Sequence, residues 1–196
     1  FDTQFSEGSI PVNIANSGAA IISDIESTNL SNITFKTNNI LDGTDEVLNI
    51  NGGEIILSTN SVVTIPANNG FPILQSTVSA GSGANIGKQI LLLEAVDVSN
   101  VVIDLPITDA QTILRSITYE NQSTPLTVGI RTIEITATDS ESNESAVVNS
   151  TINVITGAPI IDLNGPVTIS GNYSSNYAHL TTENISDATA TITATN

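Results

Sequence analysis

The sequence predicts an all-β fold, an antiparallel β-sandwich with one short helix. Two observations lead to this prediction. The apolar residues are mostly Ile, Val, Leu and Ala, the polar ones mostly Thr, Ser and Asn, and aromatic residues make up only 4%, a composition that favours strands joined by turns. In addition, apolar and polar residues alternate over residues 131–138 and 148–155 on either side of an acidic loop, as in a half-buried antiparallel hairpin.

Short strands are predicted along the chain before this hairpin. Residues 1–14 are expected to form an edge strand interrupted at Pro11, because an edge position tolerates a missing backbone donor. Asn51-Gly52 separates residues 47–50 from 54–57 and predicts a tight hairpin, since this dipeptide supports positive φ. Further strands are predicted at residues 19–23, 30–35, 62–65, 73–78, 89–95 and 101–105.

One helix is predicted, over residues 108–117. Thr108 or Asp109 is a suitable N-cap. Ile113, Leu114 and Ile117 fall on one face of this helix. We expect this helix to cross one end of the sandwich and to fill the core there.

Charge and composition exclude several functions. The chain carries 20 acidic residues against four basic ones and a net charge of −16, so neither nucleic acid nor an anionic membrane surface is an expected partner. Cys is absent, which excludes disulfides and thiolate metal sites and fits a bacterial secreted repeat protein. No apolar run is long enough to span a membrane.

The sequence does not predict an enzyme. His179 is the only histidine, and it lies in a polar segment where a solvated side chain is the expected state. No Ser lies in a Gly-x-Ser-x-Gly motif. Paired carboxylates that cleave glycosides remain an alternative, although Trp, on which sugars commonly stack, is absent.

The closing hairpin is followed by a proline-bearing segment, after which the chain begins a new element. We predict a sandwich at residues 1–157, a linker at 158–166 and, at 167–196, the first strand of a next repeat or an exchanged donor strand. The last segment is too short to form a sandwich alone. Leu180-Thr181-Thr182-Glu183 also resembles Gln4-Phe5-Ser6-Glu7, which is consistent with a repeat.

A set of short motifs in a fixed order points to a known family. These motifs are Asp109-Ala110-Gln111, Leu114-Arg115-Ser116-Ile117-Thr118-Tyr119-Glu120-Asn121, Gly129-Ile130-Arg131-Thr132-Ile133, Ala137-Thr138-Asp139, Ala158-Pro159-Ile160-Ile161-Asp162-Leu163-Asn164-Gly165 and Tyr177 with Thr182-Glu183. Together they resemble bacterial cadherin-like repeats of giant RTX-type surface adhesins. The resemblance covers about half of the chain. It implies an immunoglobulin-like sandwich, export to the cell surface and Ca²⁺ at module junctions.

One acidic loop departs from the pattern of that family. The family usually has Asp-x-x-Gly, whereas this chain reads Asp139-Ser140-Glu141-Ser142-Asn143-Glu144. The ligand geometry of this loop therefore differs from the pattern that the resemblance implies.

The order of the strands gives a separate reason to expect a metal ion. In an up-and-down count, Asp24-Ile25-Glu26 ends the second strand and the loop 139–144 joins the last two, so both lie at the same end. Lys and Arg are too few to pair these carboxylates, and Ca²⁺ takes oxygen ligands. The hypothesis is a junction site formed by Glu7, Asp24, Glu26, Asp139 and Glu141 and completed by the linker of a preceding module.

Four further residues belong to the same hypothesis. Asp162 and Asn164 would be the linker donors of this chain, and Glu183 and Asp187 part of the next site. The alternative is a set of solvated turn residues, because Asp and Asn favour turns without any metal. The second acidic cluster, residues 42–46, is interpreted as a turn because it lacks the ligand spacing of a complete Ca²⁺ loop.

Three functions are compatible with this organisation. The leading one is a Ca²⁺-stiffened spacer in an extracellular bacterial adhesin that serves cell-surface attachment and biofilm formation, with neighbouring copies of the module as partners. The second is a subunit of a self-assembling filament, in which residues 177–195 would be donated as a strand to the next copy. The third is a carbohydrate- or protein-binding module that uses the irregular region 66–87.

Overall fold

A computed structural model describes residues 1–68 and 70–156, together with the backbone of residues 160–162 and 191–193. The chain divides into two compact units, Phe1–Ile155 and Thr156–Asn196. The described residues of the first unit form thirteen strands and one α-helix. In chain order they are β1 (Asp2–Ser6), β2 (Val12–Asn13), β3 (Asn29–Asn38), β4 (Glu46–Ile50), β5 (Gly53–Ile56), β6 (Ser61–Ile65), β7 (Ile73–Ala80), β8 (Gln89–Val96), β9 (Val102–Ile103), β10 (Leu105–Pro106), α1 (Ile107–Ser116), β11 (Thr118–Asn121), β12 (Gly129–Asp139) and β13 (Val148–Ile155).

The first unit is a sandwich of two sheets with one short helix, which confirms the predicted fold class. The larger sheet has the order β1-β13-β12-β3-β8-β7-β6, with β10 beside β3 and β9 beside β8. The smaller sheet has the order β2-β11-β4-β5. Neighbouring strands are antiparallel except β1 and β13, which run parallel from Asp2 opposite Thr151 to Ser6 opposite Ile155.

The core lies between the sheets and follows the alternation of the strands. Along β3, Ile33 and Phe35 are buried while their neighbours are half-exposed. Phe5 meets Tyr119 of the smaller sheet edge to face, with ring centroids 5.5 Å apart, a favoured arrangement of two aromatic rings. Burial of apolar surface on both inner faces therefore holds the sheets together.

The predicted hairpin at Asn51-Gly52 is present. Asn51 has φ 46° and Gly52 has φ 85°, and Ile50 is paired with Gly53 across the turn. Two consecutive positive φ angles give the two-residue turn whose twist matches that of the flanking strands.

The predicted helix is also present, although it begins differently. Pro106 is the N-cap residue of α1 and no side chain caps it, so neither Thr108 nor Asp109 has the capping role that the sequence suggested. Ile113 and Leu114 are buried as expected.

The strand predicted at residues 19–23 is not formed. Asn16 begins a turn instead, because its side chain accepts a hydrogen bond from the Gly18 amide and its carbonyl accepts those of Ala19 and Ala20. Side chains of α1 bind the backbone of this segment. Arg115 Nε donates to the Ala20 carbonyl at 2.7 Å, and Gln111 Oε1 accepts a hydrogen bond from the Ile22 amide at 3.2 Å. The helix therefore replaces the expected strand partner.

In the second unit, β14 (Ile160–Asp162) pairs antiparallel with β15 (Thr191–Thr193). The strand β14 lies inside the segment predicted to be a linker. Most of the segment 167–196 lies outside the described residues, so its assignment as a next repeat stays a prediction.

Among the residues that the structure describes, no helix has the length and apolar character required to cross a membrane.

Candidate functional site

Two acidic loops meet at one end of the sandwich. We call the end at which Phe1 lies the proximal end, and the end at which Ile155 lies the distal end. Because β3 and β12 are antiparallel neighbours with Asp139 opposite Leu30, the segment before β3 and the loop after β12 lie side by side at the proximal end. They line a depression of about 350 Å³.

Four acidic residues contribute to this depression, and the loops bearing them come from distant parts of the chain. Asp24 and Glu26 line it from the segment before β3, and Asp139 and Glu144 line it from the loop between β12 and β13. The loops are also tied to each other, since the Ser140 amide donates to the Asn29 carbonyl at 3.3 Å. The structure thus brings together three of the predicted ligands, Asp24, Glu26 and Asp139.

Asp139 organises its own loop. Its Oδ1 accepts hydrogen bonds from the amides of Glu141 and Asn143, each at 2.8 Å, and its Oδ2 accepts one from Asn143 Nδ2 at 2.9 Å. These bonds, that from the Asn143 side chain most of all, hold the pKa of Asp139 below its ordinary value. The carboxylate is therefore charged and fixed in place at neutral pH.

Asp24 has a similar local role. Its Oδ1 accepts a hydrogen bond from the Glu26 amide at 2.9 Å, which closes a short turn. Carboxylate oxygen atoms are of the type that Ca²⁺ prefers, although both oxygens of Asp139 already accept hydrogen bonds within its loop. However, no group of three or more acidic or histidine side chains among residues 1–68 and 70–156 converges closely enough to hold a metal ion. Further oxygen atoms would be needed to complete a Ca²⁺ site here.

The remaining predicted ligands are distributed differently. Glu7 follows the end of β1, beside Ile155 at the distal end, roughly 30 Å from Asp139 at the usual rise per strand residue. It does not join the proximal cluster because β1 carries the chain away from that end. Glu141 lies in the proximal loop but does not line the depression. The side chains of Asp162, Asn164, Glu183 and Asp187 lie outside the described residues.

A larger cleft adjoins the depression. Its volume is about 500 Å³, and its lining is mainly apolar, with contributions from Ile14, Ile22, Ile33 and Leu114. None of its lining residues belongs to the region 66–87, which the binding-module hypothesis had used. Eight residues of that region form the regular strand β7.

The residues 42–46 form a second polar site that the sequence did not reveal. As the sequence predicted, they form a turn, with one turn of 3-10 helix at Gly43–Asp45, and two of their carboxylates bind Arg131. Arg131 and Glu46 are both almost fully buried, with exposed side-chain fractions of 1% and 0%. Since Arg131 is in the larger sheet and Glu46 in the smaller one, this ion pair links the two layers.

Every charged atom in this second site has a partner. Arg131 Nε and Nη2 donate to Glu46 at 2.9–3.2 Å, and Nη2 also donates to Asp42 Oδ2 at 3.0 Å. The Tyr119 hydroxyl donates to Glu46 Oε2 at 2.9 Å. The amides of Leu41 and Asp42 both donate to Glu46 Oε1 at 2.8 Å. We refer to Arg131, Glu46, Asp42 and Tyr119 as the buried ion network.

The ionisation of the network follows from these contacts. Burial opposes the charge of Asp42, but hydrogen bonds from Thr127 and Asn121, together with the Arg131 charge, lower its pKa. Burial would also discharge Arg131, yet the bonds to Glu46 outweigh it and raise the Arg131 pKa. Burial and the neighbouring Glu46 raise the pKa of Tyr119, so its hydroxyl remains a donor. This arrangement can hold the sheets together but offers no free reactive group.

Comparisons with protein-family models, with curated proteins and with solved structures find no match for this chain. The resemblance to cadherin-like adhesin repeats therefore stays a prediction.

Proposed function

We propose that this chain is a structural repeat module of an extracellular bacterial adhesin and acts as a spacer that Ca²⁺ stiffens where modules join. The observation that carries the proposal is the meeting of two acidic loops at the proximal end, where Asp24, Glu26 and Asp139 line one depression. Carboxylates gathered in this way repel one another unless a cation or a base neutralises them.

The scarcity of basic residues supports the binding of a cation by the proximal carboxylates. Of the four Lys and Arg residues, Arg131 is committed to the buried ion network and Lys88 to Glu134. Within residues 1–68 and 70–156, no ion pair joins the proximal carboxylates to a base. A divalent ion that binds them, together with oxygen atoms from a preceding module, would remove hinge freedom between the modules.

The pairing in the second unit favours the spacer over the filament. Part of the segment predicted as a donor strand, Thr191–Thr193, is paired with Ile160–Asp162 of its own chain. A strand that is paired within its own unit has one edge fewer to offer to another copy.

Thermal melting of two copies joined in tandem tests the proposal. If Ca²⁺ is present at 100 times its Kd, it stabilises the site by about 2.7 kcal/mol, which raises Tm by roughly 5–10 °C for a unit of this size. The double variant Asp24→Asn/Glu26→Gln should lose this increase. The matched variant Glu94→Gln, on the outer face of β8 and not part of the lining of the depression, should keep it.

Small-angle scattering of the same tandem measures stiffness directly. The maximum dimension should be larger and better defined in Ca²⁺ than in EDTA at equal ionic strength. An equal Tm and an equal maximum dimension in both buffers would contradict the proposal.

A further inference from the structure

Three polar side chains meet on the outer face of the larger sheet. Lys88 Nζ donates to Glu134 Oε1 at 2.5 Å, and Asn38 Nδ2 donates to the same oxygen at 3.4 Å. The side chains of Lys88 and Glu134 are each only 22% exposed, so most of their surface is withdrawn from water. One carboxylate oxygen is thus shared by an amine and a carboxamide.

The sheet order explains how these groups meet. Glu134 is on β12, Asn38 on β3 and Lys88 directly before β8, and β3 is the middle strand of the three. Thr37 is paired with Gln89, so the next position along the antiparallel ladder sets Asn38 against Lys88. Adjacent strands are about 4.8 Å apart, and Lys88 must therefore extend across β3, over Asn38, to reach Glu134.

We propose that Lys88 and Asn38 form an intramolecular amide cross-link and that Glu134 transfers the proton. The Glu134 carboxylate accepts a proton from the Lys88 ammonium, and the neutral amine attacks Cγ of Asn38. A bond forms between Nζ of Lys88 and Cγ of Asn38, Glu134 returns its proton to Nδ2, and the bond between Cγ and Nδ2 breaks. The second proton of Nζ passes through Glu134 to the departing ammonia, so the products are the amide, one ammonium ion and the Glu134 carboxylate. No oxidant, reductant or further reactant is needed.

Glu134 can act first as the base and then as the acid of this reaction, because it accepts hydrogen bonds from both Lys88 and Asn38. A general base must lie within hydrogen-bond reach of the proton that it takes, as Glu134 does for Lys88. The acid that protonates the leaving group must reach that group too, and the bond from Asn38 Nδ2 places it there. Holding amine and carboxamide on neighbouring strands also gives the attack the advantage of proximity.

The cross-link would join two central strands that are distant in sequence. It would close the chain between Asn38 and Lys88 covalently and constrain the unfolded state as a disulfide does, in a chain that has no Cys. This inference does not depend on the spacer function, because the reaction needs only the fold.

Intact mass spectrometry of the purified, folded chain tests the cross-link. The expected mass is that of the sequence less one ammonia, and digestion should release a branched peptide that contains both Asn38 and Lys88. Lys88→Arg and Glu134→Gln should each show the full sequence mass while keeping the circular dichroism of the folded protein. Lys36→Arg, at the position opposite Glu134 on β3, should keep the loss and is the matched control.

Two results would overturn the proposal. One is a folded wild-type chain with the full sequence mass after prolonged incubation. The other is a loss of ammonia that persists in Lys88→Arg, or that maps elsewhere, for example to ring closure at Asn51-Gly52.

Discussion

At the scale of single residues, Arg131 is a charged side chain that lies buried in the sandwich. It is a cation with 1% of its side chain exposed, and removing an ion from water costs several kcal/mol. The structure offsets this cost with two carboxylates, Glu46 and Asp42, and with a bond from Nη1 to the Gly129 carbonyl. The network is therefore sensitive to the loss of any one member, because the remaining charges would stay buried without partners.

Replacing Arg131 with Met should lower the free energy of unfolding by about 3–5 kcal/mol, the usual effect of breaking a buried ion pair. The reason is that Glu46 and Asp42 would then face each other in the core without a cation. Urea denaturation measures the change. Adding Glu46→Gln to Arg131→Met should recover part of the lost stability, because one of the two unpaired charges is removed.

Arg115→Met is the matched control. Arg115 donates from Nε to the Ala20 carbonyl and, among the described residues, makes no ion pair, so about 0.5–1.5 kcal/mol is expected from one hydrogen bond. Equal losses in the two variants would show that the buried ion network has no special role.

At the scale of elements, the connection between β7 and β8 tolerates little change. Gly81 begins this connection, and its amide donates to the Lys88 carbonyl at 2.8 Å. A Cβ atom at Gly81 would lie 2.1 Å from the carbonyl oxygen of Asn85. Since that oxygen belongs to the backbone, no side-chain rotation can relieve the overlap.

Gly81→Ala should therefore destabilise the protein by about 1–3 kcal/mol, as overpacking does. Gly18→Ala is the control, because its Cβ would meet only Asn16 Oδ1 at 3.7 Å, and its effect should stay within about 0.5 kcal/mol. Thermal melting of both variants checks this. A Tm for Gly81→Ala equal to that of Gly18→Ala would contradict the role assigned to the close contact.

The elements that sequence could predict are those specified locally. The turn at Asn51-Gly52 needs only its own two residues, and the alternation within β12 and β13 needs only the strands themselves. Residues 19–23 have an apolar pattern typical of a strand, but the contact with Arg115, which is 95 positions away from Ala20, decides their conformation. Such a contact leaves no local pattern in the sequence.

The same limit applies to the candidate sites. Counting strands placed the two acidic loops at one end, but the count included residues 19–23 as a strand that is not formed. The antiparallel pairing of β3 with β12 brings the two loops together instead. The count could not place Glu7, since the parallel pairing of β1 with β13 determines where that residue lies. Arg131 and Glu46 are 85 positions apart. Their pairing depends on how the two sheets face each other, and no spacing between residues in the sequence indicates that.

At the scale of the whole molecule, acidity should have two opposing effects on stability. With a net charge of −16, mild acidification reduces self-repulsion and should stabilise the fold slightly. Against this, Asp42 and Asp139 have pKa values below the ordinary 3.8. A carboxyl group whose pKa is depressed on folding contributes stability that is present above its unfolded pKa and is lost as the pH falls through the folded value. Stability should therefore fall below about pH 4.

Asp42→Asn separates the second effect from the first. At pH 7 this variant should be less stable than the wild type by roughly 1.5–3 kcal/mol, the usual contribution of hydrogen bonds to a charged group. The difference should shrink as the pH falls below about 4, because the wild type then loses the same carboxylate. Urea unfolding at several pH values measures it, with Asp104→Asn, an exposed position, as the control. A difference that stays constant from pH 7 to pH 2.5 would mean that the charge of Asp42 does not stabilise the sandwich, and that its hydrogen bonds to Asn121 and Thr127 act independently of ionisation.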